Sequence, residues 1–403
     1  MLTYQQARQT VMDQVAARQR PLAKQTVPIL EALGRVLASE LRADRAYPPF
    51  DRSTRDGYAV RAEEATSGAK LRCAGEIKAG DSVETPLDPG TCVQIMTGAA
   101  VPSGADAVVM IEHTERDLET ITFARAAHPG QNIVKKGSEA AAGQLQLSPG
   151  TRLGYAELAI AAQVGRTELD CYPKPRVAIL STGDEVVLFD QTPGPFQIRN
   201  SNSVSLAAQV RLAGGEPIVL GNAADTTDDL RTKIASGLTA DLLVLSGGVS
   251  MGKYDLVETV LRELGTRFFF DAVAIRPGKP AVFAQCGETF VFGLPGNPVS
   301  TMVTFELFAV PAIGLLGGEA ARPLPLFTAT LAVPMTEKTG LTHFLPARVE
   351  WPEGRARVTP LEWQGSGDIA ALARANCYLV IASDRQTLAA GDSVDIVPRR
   401  DLW

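Results

Sequence analysis

Histidine and cysteine are scarce in this 403-residue sequence, and those present are scattered. His113, His128 and His343 stand far apart. Cys73, Cys92, Cys171, Cys286 and Cys377 are odd in number and form no C-x-x-C pair. Zinc sites need clustered Cys and His ligands, as in H-E-x-x-H, so a zinc centre is not expected. Dispersed thiols argue against a disulfide framework and fit a reducing, cytoplasmic setting. A G-x-S-x-G nucleophile elbow is absent, so nothing supports a Ser-His-Asp triad, and the P-loop pattern G-x-x-x-x-G-K-[ST] is absent too. A basic excess is also missing: 39 Lys and Arg face 45 Asp and Glu, a net charge of −6. A nucleic-acid partner is therefore not expected, though a local basic pocket for a phosphate is compatible with that balance. Met1–Val15 lacks the apolar core of a signal peptide. The most apolar helical stretch, Thr301–Leu316, contains Glu306 and Pro311 and reads as a buried helix rather than a membrane span.

What is present is enough chain for several cores, two or three at roughly 150 residues each. Changes of texture raise the expectation to four. Apolar residues recur at helical spacing at Leu2, Ala7, Val11 and Val15, and again at Ile29, Leu30, Leu33, Val36 and Leu37. Ala46–Phe50 carries two prolines and ends that pattern. Short β-like runs follow at Tyr58–Val60, Leu71–Cys73, Cys92–Met96, Ala107–Ile111 and Thr120–Phe123. Helical texture returns at Gly154–Val164, so the β-rich segment reads as an insertion in a helical unit. Beyond Pro173–Pro175, strands at Val177–Leu180, Pro217–Leu220, Leu242–Leu245, Phe268–Ile275, Ala281–Ala284 and Thr289–Phe292 alternate with helices. Those helices are placed at Asn202–Leu212, Thr227–Ser236 and Asp255–Leu264, with a last one capped by Asn297 and opened by Pro298. After Arg322 the texture is β again. The expected fold is therefore multidomain α/β plus β. A helical linker domain (1–48 and 144–173) is split by a β-rich inserted domain (49–143). A central doubly wound, mostly parallel sheet (174–322) and a C-terminal β-barrel-like domain (323–403) follow.

Open parallel sheets bind ligands beyond the carboxyl ends of their strands. Four polar or small-residue turns occupy those places: Ser181-Thr182-Gly183-Asp184-Glu185, Gly221 to Asp225, the loop from Ser246-Gly247-Gly248 through Ser250 to Gly252, and Pro295-Gly296-Asn297-Pro298. The Ser246–Gly252 loop is either a cradle of backbone N–H groups for a phosphate or a plain tight turn. Glu185, Asp225 and Asp255 lie in or beside three of the turns, and such oxygen donors hold Mg²⁺. Each also has an ordinary reading: Asp255 as a helix cap, Asp225 as one of a solvated trio with Asp228 and Asp229, Glu185 as an exposed side chain. Arg276-Pro277-Gly278-Lys279-Pro280 sets two cations around a rigid turn, an anion clamp or a solvated connection.

Seven stretches together resemble the molybdopterin molybdenumtransferase family: PPFDRSTRDGYAV (48–60), MTGAAVPSGADAVVM (96–110), PRVAILSTGDEV (175–186), IRNSNS (198–203), LSGGVSMGKYDLV (245–257), RPGKP (276–280) and VFGLPGNPVS (291–300). A weaker match runs through Gly365-Ser366-Gly367 and Ala375-Asn376. The resemblance implies an elongated homodimer whose active cleft lies between the α/β domain of one subunit and the β-rich domain of the other. It implies insertion of molybdate into adenylylated molybdopterin, with Mg²⁺-dependent release of AMP to give molybdenum cofactor. Catalytic roles fall on Asp56, Thr97, Glu139 and Glu185, and the metal on Glu185, Asp225 and Asp255. Ligand contacts fall on Ser181, Thr182, Gly183, Asn202, Ser246, Gly247, Gly248, Ser250, Arg276, Lys279, Pro295, Pro298 and Ser366. Expected partners are a molybdopterin adenylyltransferase and apo-molybdoenzymes or their chaperones, without membrane or nucleic acid.

Two positions depart from the family pattern. Arg276 stands where Lys is frequent, exchanging a point charge for a planar fork. Gly137-Ser138-Glu139 replaces a G-E-D element, so the acid at Glu139 is one methylene longer. Two other readings compete: an adenylyltransferase or pyrophosphatase of related fold, and a non-catalytic scaffold such as related domains provide in animal receptor clustering.

Overall fold

In the strands Arg176–Thr182 and Leu242–Ser246, every residue after Arg176 is buried, so neither sheet face meets water and helices must cover both. Successive side chains point to opposite faces and enter different cores. Val177, Ile179, Leu242 and Val244 pack with the helix Ser201–Leu212 and the helix that starts at Pro298. Ala178, Leu180, Leu243 and Leu245 pack with Thr227–Gly237 and Leu256–Glu263. This is the doubly wound arrangement expected, and the computed structural model describes it for residues 1–18, 23–248 and 256–402 of the chain.

The sheet order in space is Glu216–Ala223, Arg176–Thr182, Leu242–Ser246, Thr289–Leu294, Val282–Cys286, Arg267–Phe270. The first four strands are parallel; Val282–Cys286 runs antiparallel to them, and Arg267–Phe270 pairs antiparallel with Val282–Cys286. From Arg176–Thr182 the chain passes to one neighbour, Glu216–Ala223, and then back to the other, Leu242–Ser246. The strand order therefore reverses there, which opens a crevice at the carboxyl ends of that pair.

The β-rich part is a six-stranded sheet ordered Ala107–Met110, Gly57–Val60, Thr91–Ile95, Lys70–Ile77, Thr120–Phe123, Thr114–Asp117. On either side of it in sequence, Leu41–Arg42 pairs with Leu145–Leu147, and Gln25–Pro28 with Glu168–Cys171. The chain thus leaves and re-enters a small unit through adjacent strands. That unit has a core of Val27, Leu37, Leu41, Leu153 and Ala161 and carries the helix Tyr155–Gln163.

The helix expected over Ile29–Leu37 does not form. Ile29–Glu31 is a single 3₁₀ turn, Gly34 has φ +74°, and the Leu30 and Leu33 side chains are exposed. Pairing of Gln25–Pro28 holds the preceding backbone extended, so the apolar period there arose from turn residues. The N-terminal helix does form, over Tyr4–Ala16. Its Thr3 cap accepts from the Gln6 N–H, and the Gln6 side chain returns to the Thr3 N–H. Its buried face, Tyr4, Ala7, Val11 and Val15, joins the α/β core rather than the split unit.

The C-terminal strands Thr342–Glu350, Arg357–Pro360, Phe327–Leu331, Ser393–Pro398 and Cys377–Ile381 pair in that order, and the last pairs back with the first. The result is a closed five-stranded barrel, which leaves no unpaired edge. The single strand expected over Phe268–Ile275 is divided. Arg267–Phe270 edges the α/β sheet, Val273 bridges Leu2, and Ile275–Arg276 adds to the barrel strand Thr342–Glu350. The helical run Pro298–Leu316 is long and apolar enough to cross a membrane by composition, yet it lies in the α/β core.

Arg152 joins three parts of the chain. Its guanidinium donates to the Gly34 carbonyl at 3.0 Å, the Ala213 carbonyl at 3.1 Å and both oxygens of Glu319 at 3.1 and 2.5 Å. Burial pushes the Glu319 carboxyl up, but the Arg152 bond, helped by Arg322 and Arg400, outweighs it and holds the group below its usual range. A depressed carboxyl contributes stability above its unfolded pKa, which is lost as pH falls through the folded value. Arg152→Met is therefore expected to cost about 2–3 kcal/mol in urea unfolding at neutral pH. Part of that cost should vanish as pH falls below the ordinary glutamate range; a cost independent of pH would contradict the assignment.

Candidate active site

The crevice at the strand reversal is a cleft of about 450 Å³. Three strand ends and two helix starts build it. Ser181, Thr182 and Gly183 follow the first strand, and Ser246, Gly247 and Gly248 follow its neighbour. Pro295, Gly296 and Asn297 close the far side before the helix at Pro298, and Ser201 and Asn202 open the helix opposite. Two helix N-termini thus meet the cleft, where free N–H groups and the helix dipole favour an anion.

The loops are held against each other by side-chain amides. Asn202 Nδ2 donates to Ser246 Oγ at 2.8 Å and to the Gly296 carbonyl at 2.7 Å. Asn222 Nδ2 donates to the carbonyls of Gly183 at 2.8 Å and Val186 at 3.2 Å. Asn200 caps its helix by accepting from the Ser203 N–H, and it accepts from Ser181 Oγ at 3.2 Å. Among the described residues, Thr182 Oγ1, Asn200 Nδ2 and Asn202 Oδ1 are buried polar atoms with no partner. Buried polar groups are normally satisfied, so three orphans in one cleft mark where a polar ligand completes the site.

The cleft also has an acidic rim. Glu185 and Asp225 line it, and the Asp225 N–H donates to Asp184 Oδ1 at 3.1 Å. Burial, then the charges of Asp184 and Glu185, raise the Asp225 carboxyl above its usual range. Of the acidic trio expected there, Asp225 and Asp228 are exposed, and only Asp229 is tied down. Asp229 accepts from the Ala224 N–H and pairs with Lys233 at 2.9 Å. No cluster of three metal-binding side chains exists among the described residues. Asp255 and Ser250, the third expected metal ligand and a loop contact, lie outside the described residues.

Other expected residues fall elsewhere. Arg276 does not line the cleft; it pairs with Glu337 at 3.4 Å, because the Ile275–Arg276 strand belongs to the barrel edge. Lys279 is exposed one residue before Pro280, which does line the cleft. Ser366 is also outside the lining, but its carbonyl accepts from the Val299 N–H at 2.9 Å, at the start of the helix that borders the cleft. Asn297 sits at the cap position without a side-chain cap bond.

Asp56, Thr97 and Glu139 do not line this cleft. They form a second polar patch on the β-rich part. Asp56 Oδ1 accepts from both the N–H and the hydroxyl of Thr97, at 2.6 and 2.7 Å, and these bonds hold its carboxyl below the usual range. Glu139 pairs with Arg52 at 2.8 Å, and Asp51 with Lys135 at 2.7 Å. Pairing of Arg52–Ser53 with Ile133–Val134 brings these sequence-distant groups together. Asp184, Arg199 and Asn200 stood inside turns and stretches singled out in the sequence but were given no role there. Only Asn200 carried a usable signal, an Asn placed as cap ahead of a helix.

A switch-point cleft with helix N-termini, unsatisfied polar atoms and a carboxylate rim is the kind of site in which a multidomain α/β enzyme takes a polar ligand. Comparison with known proteins narrows that class. Family models match three segments: the "MoeA N-terminal region (domain I and II)" at residues 2–165, a "probable molybdopterin binding domain" at 178–314, and the "MoeA C-terminal region (domain IV)" at 328–398. A molybdopterin molybdenumtransferase of Haemophilus influenzae is 34% identical over 100% of both chains. One from Bacillus subtilis is 33% identical over 93% of this chain and 90% of its own. The solved molybdopterin biosynthesis moeA protein of Pyrococcus horikoshii superposes with TM-score 0.82 at 28% identity, covering 99% of this chain and 100% of that one. The chain belongs to the molybdopterin molybdenumtransferase family and is an enzyme of molybdenum-cofactor biosynthesis.

Proposed function

We propose that the chain inserts molybdate into adenylylated molybdopterin, with Mg²⁺-dependent cleavage of the pyrophosphate and release of AMP. The observation that carries this reading is the convergence of unpartnered Thr182, Asn200 and Asn202 atoms and two helix N-termini beside the Glu185–Asp225 rim. A pyrophosphate-bearing pterin offers acceptors and donors for the first set and charge for the second. Gly247 and Gly248, at φ +90° and +62°, let backbone approach it closely. Glu185 and Asp225 are the oxygen donors that would hold Mg²⁺, and the raised Asp225 carboxyl fits a site that is incomplete without a cation. When bound, the ion neutralises pyrophosphate charge and polarises the bond that breaks. The residues of the chain bind and orient; no covalent nucleophile is required.

Placement of Asp56, Thr97 and Glu139 outside the cleft supports a homodimer in which each site draws on the β-rich part of the other subunit. The free thiols and the polyanionic substrate fit a cytoplasmic enzyme supplied by a molybdopterin adenylyltransferase and delivering to apo-molybdoenzymes or their chaperones. The test is direct. Purified protein with adenylylated molybdopterin, molybdate and Mg²⁺ releases AMP and yields cofactor that activates an apo-molybdoenzyme. Equal AMP release without molybdate, and no cofactor, would favour a pyrophosphatase; no turnover with any divalent ion would favour a scaffold.

Asp225 gives a second check. A carboxylate whose folded pKa is raised costs stability when ionised, so Asp225→Asn is expected to raise the melting temperature of the metal-free protein at pH 7. The same variant should lose most of the Mg²⁺-induced rise seen in wild type. If metal-free melting falls instead, Asp225 is a structural ligand of its own loop.

A further inference from the structure

A second cavity, of about 250 Å³, lies away from the cleft among the N-terminal helix, the end of the helical run Pro298–Leu316, the connector that follows it and the C-terminal segment. We propose that this cavity is a binding site for a small tetrahedral oxyanion, held by Arg8 together with Arg322 and Arg400. Four guanidinium groups line it, those of Arg8, Arg152, Arg322 and Arg400, against two carboxylates, Glu306 and Glu319. Both carboxylates are already engaged. Glu306 accepts from Arg400 at 3.1 and 3.2 Å, and Glu319 binds Arg152 and Arg322.

Arg8 is the decisive residue. Only 8% of it is exposed, and it forms no ion pair among the described residues. Its Nη1 donates to the Leu307 carbonyl at 2.8 Å and its Nη2 to the Arg322 carbonyl at 3.1 Å, while Nε is buried without a partner. The first bond has a structural cause. Leu307 lies in the π-helical segment Phe305–Ala309, where the ordinary i→i+4 ladder is interrupted, and Arg8 supplies a donor to its carbonyl there. A neutral donor would serve that need equally well. The Glu306 carboxylate is the negative charge that acts on Arg8, but it is already bonded to Arg400, so two guanidiniums share one carboxylate and the Arg8 Nε has no acceptor. An oxyanion supplies the missing charge and the missing acceptor, and the guanidinium fork matches its geometry. The remaining volume holds such an ion with water.

The experiment is calorimetric titration of the full-length protein with phosphate, sulfate and molybdate in separate arms, each in chloride buffer of matched ionic strength. Wild type should show a saturable oxyanion site, and the ranking of the three ions identifies its natural occupant. In Arg8→Met that site should weaken about tenfold or more, the loss expected when a charged donor is removed. The anion-free variant loses the donors to the Leu307 and Arg322 carbonyls and should unfold at a somewhat lower temperature than wild type, whereas saturating oxyanion should raise the melting temperature of wild type only. Equal binding by wild type and Arg8→Met overturns the proposal, since the ions then bind only elsewhere. A wild-type melting temperature that saturating oxyanion does not raise also overturns it, because an ion bound to the folded state must stabilise that state. Crystals soaked in molybdate provide a readout independent of folding: an anomalous peak beside Arg8 is expected, and a peak confined to the Ser181–Gly248 cleft, or a second copy of the chain filling the cavity, rules the site out.

Discussion

Mixing two inactive variants, Asp56→Asn and Glu185→Gln, is expected to restore about a quarter of wild-type turnover. Each homodimer alone should be nearly dead, since each site lacks one essential group. Random exchange makes about half the dimers hybrid, and in a hybrid one of the two sites carries both substitutions while the other carries neither. Glu185 lines the cleft, whereas Asp56 stands on the β-rich sheet with both Thr97 bonds on its Oδ1. Asn at position 56 still accepts a hydrogen bond but has no charge, so the variant tests charge rather than folding. Turnover is read as AMP release after verified subunit exchange, with mass spectrometry counting hybrids. Full exchange without recovery would show that each chain completes its own site.

Gly248→Ala should lower kcat/KM for AMP release by about 100-fold or more while costing only about 1–3 kcal/mol of stability. Gly248 has φ +62°, which a side chain resists, and an added Cβ would stand 2.6 Å from Thr182 Oγ1 and 2.8 Å from Val257 Cγ2. At Gly247 the obstacle is the Thr182 carbonyl at 2.9 Å, a backbone atom that cannot swing away. Relief of either clash pushes the strand ends apart at the point where they form the cleft, so binding geometry suffers before folding does. Gly287→Ala is the matched control. It also has positive φ, +55°, but an added Cβ meets nothing within 4 Å, so turnover should hardly change. Retention of more than a tenth of activity in Gly248→Ala would mean that this backbone does not approach the ligand.

Much of this was legible in the residues. The continuous apolar run at Val177–Leu180 pointed to a strand buried on both faces, Leu242–Leu245 read as another strand, and the Gly-rich and acidic turns that follow both line the cleft. Periodicity misled at Ile29–Leu37, where strand pairing to Glu168–Cys171 fixed the backbone before helix spacing could matter. For Arg276 the residues left two readings, an anion clamp or a solvated connection; the structure adds Ile275–Arg276 to a barrel strand and sets the half-exposed Arg276 beside Glu337.

By itself the sequence determined element type, the doubly wound class and the turns that could hold a polyanion, because those follow from local period, turn chemistry and residue type. Its shortage of histidine and cysteine already pointed to chemistry on oxygen donors. Only the tertiary structure decided which turns meet. Strand order placed Thr182 against Gly248, chain return placed Asp56 and Glu139 on a patch apart from the cleft, and packing of the first helix brought Arg8 to the Leu307 carbonyl. Such meetings join residues up to 314 positions apart. They depend on how whole layers bury their faces, and no local pattern in the chain encodes that.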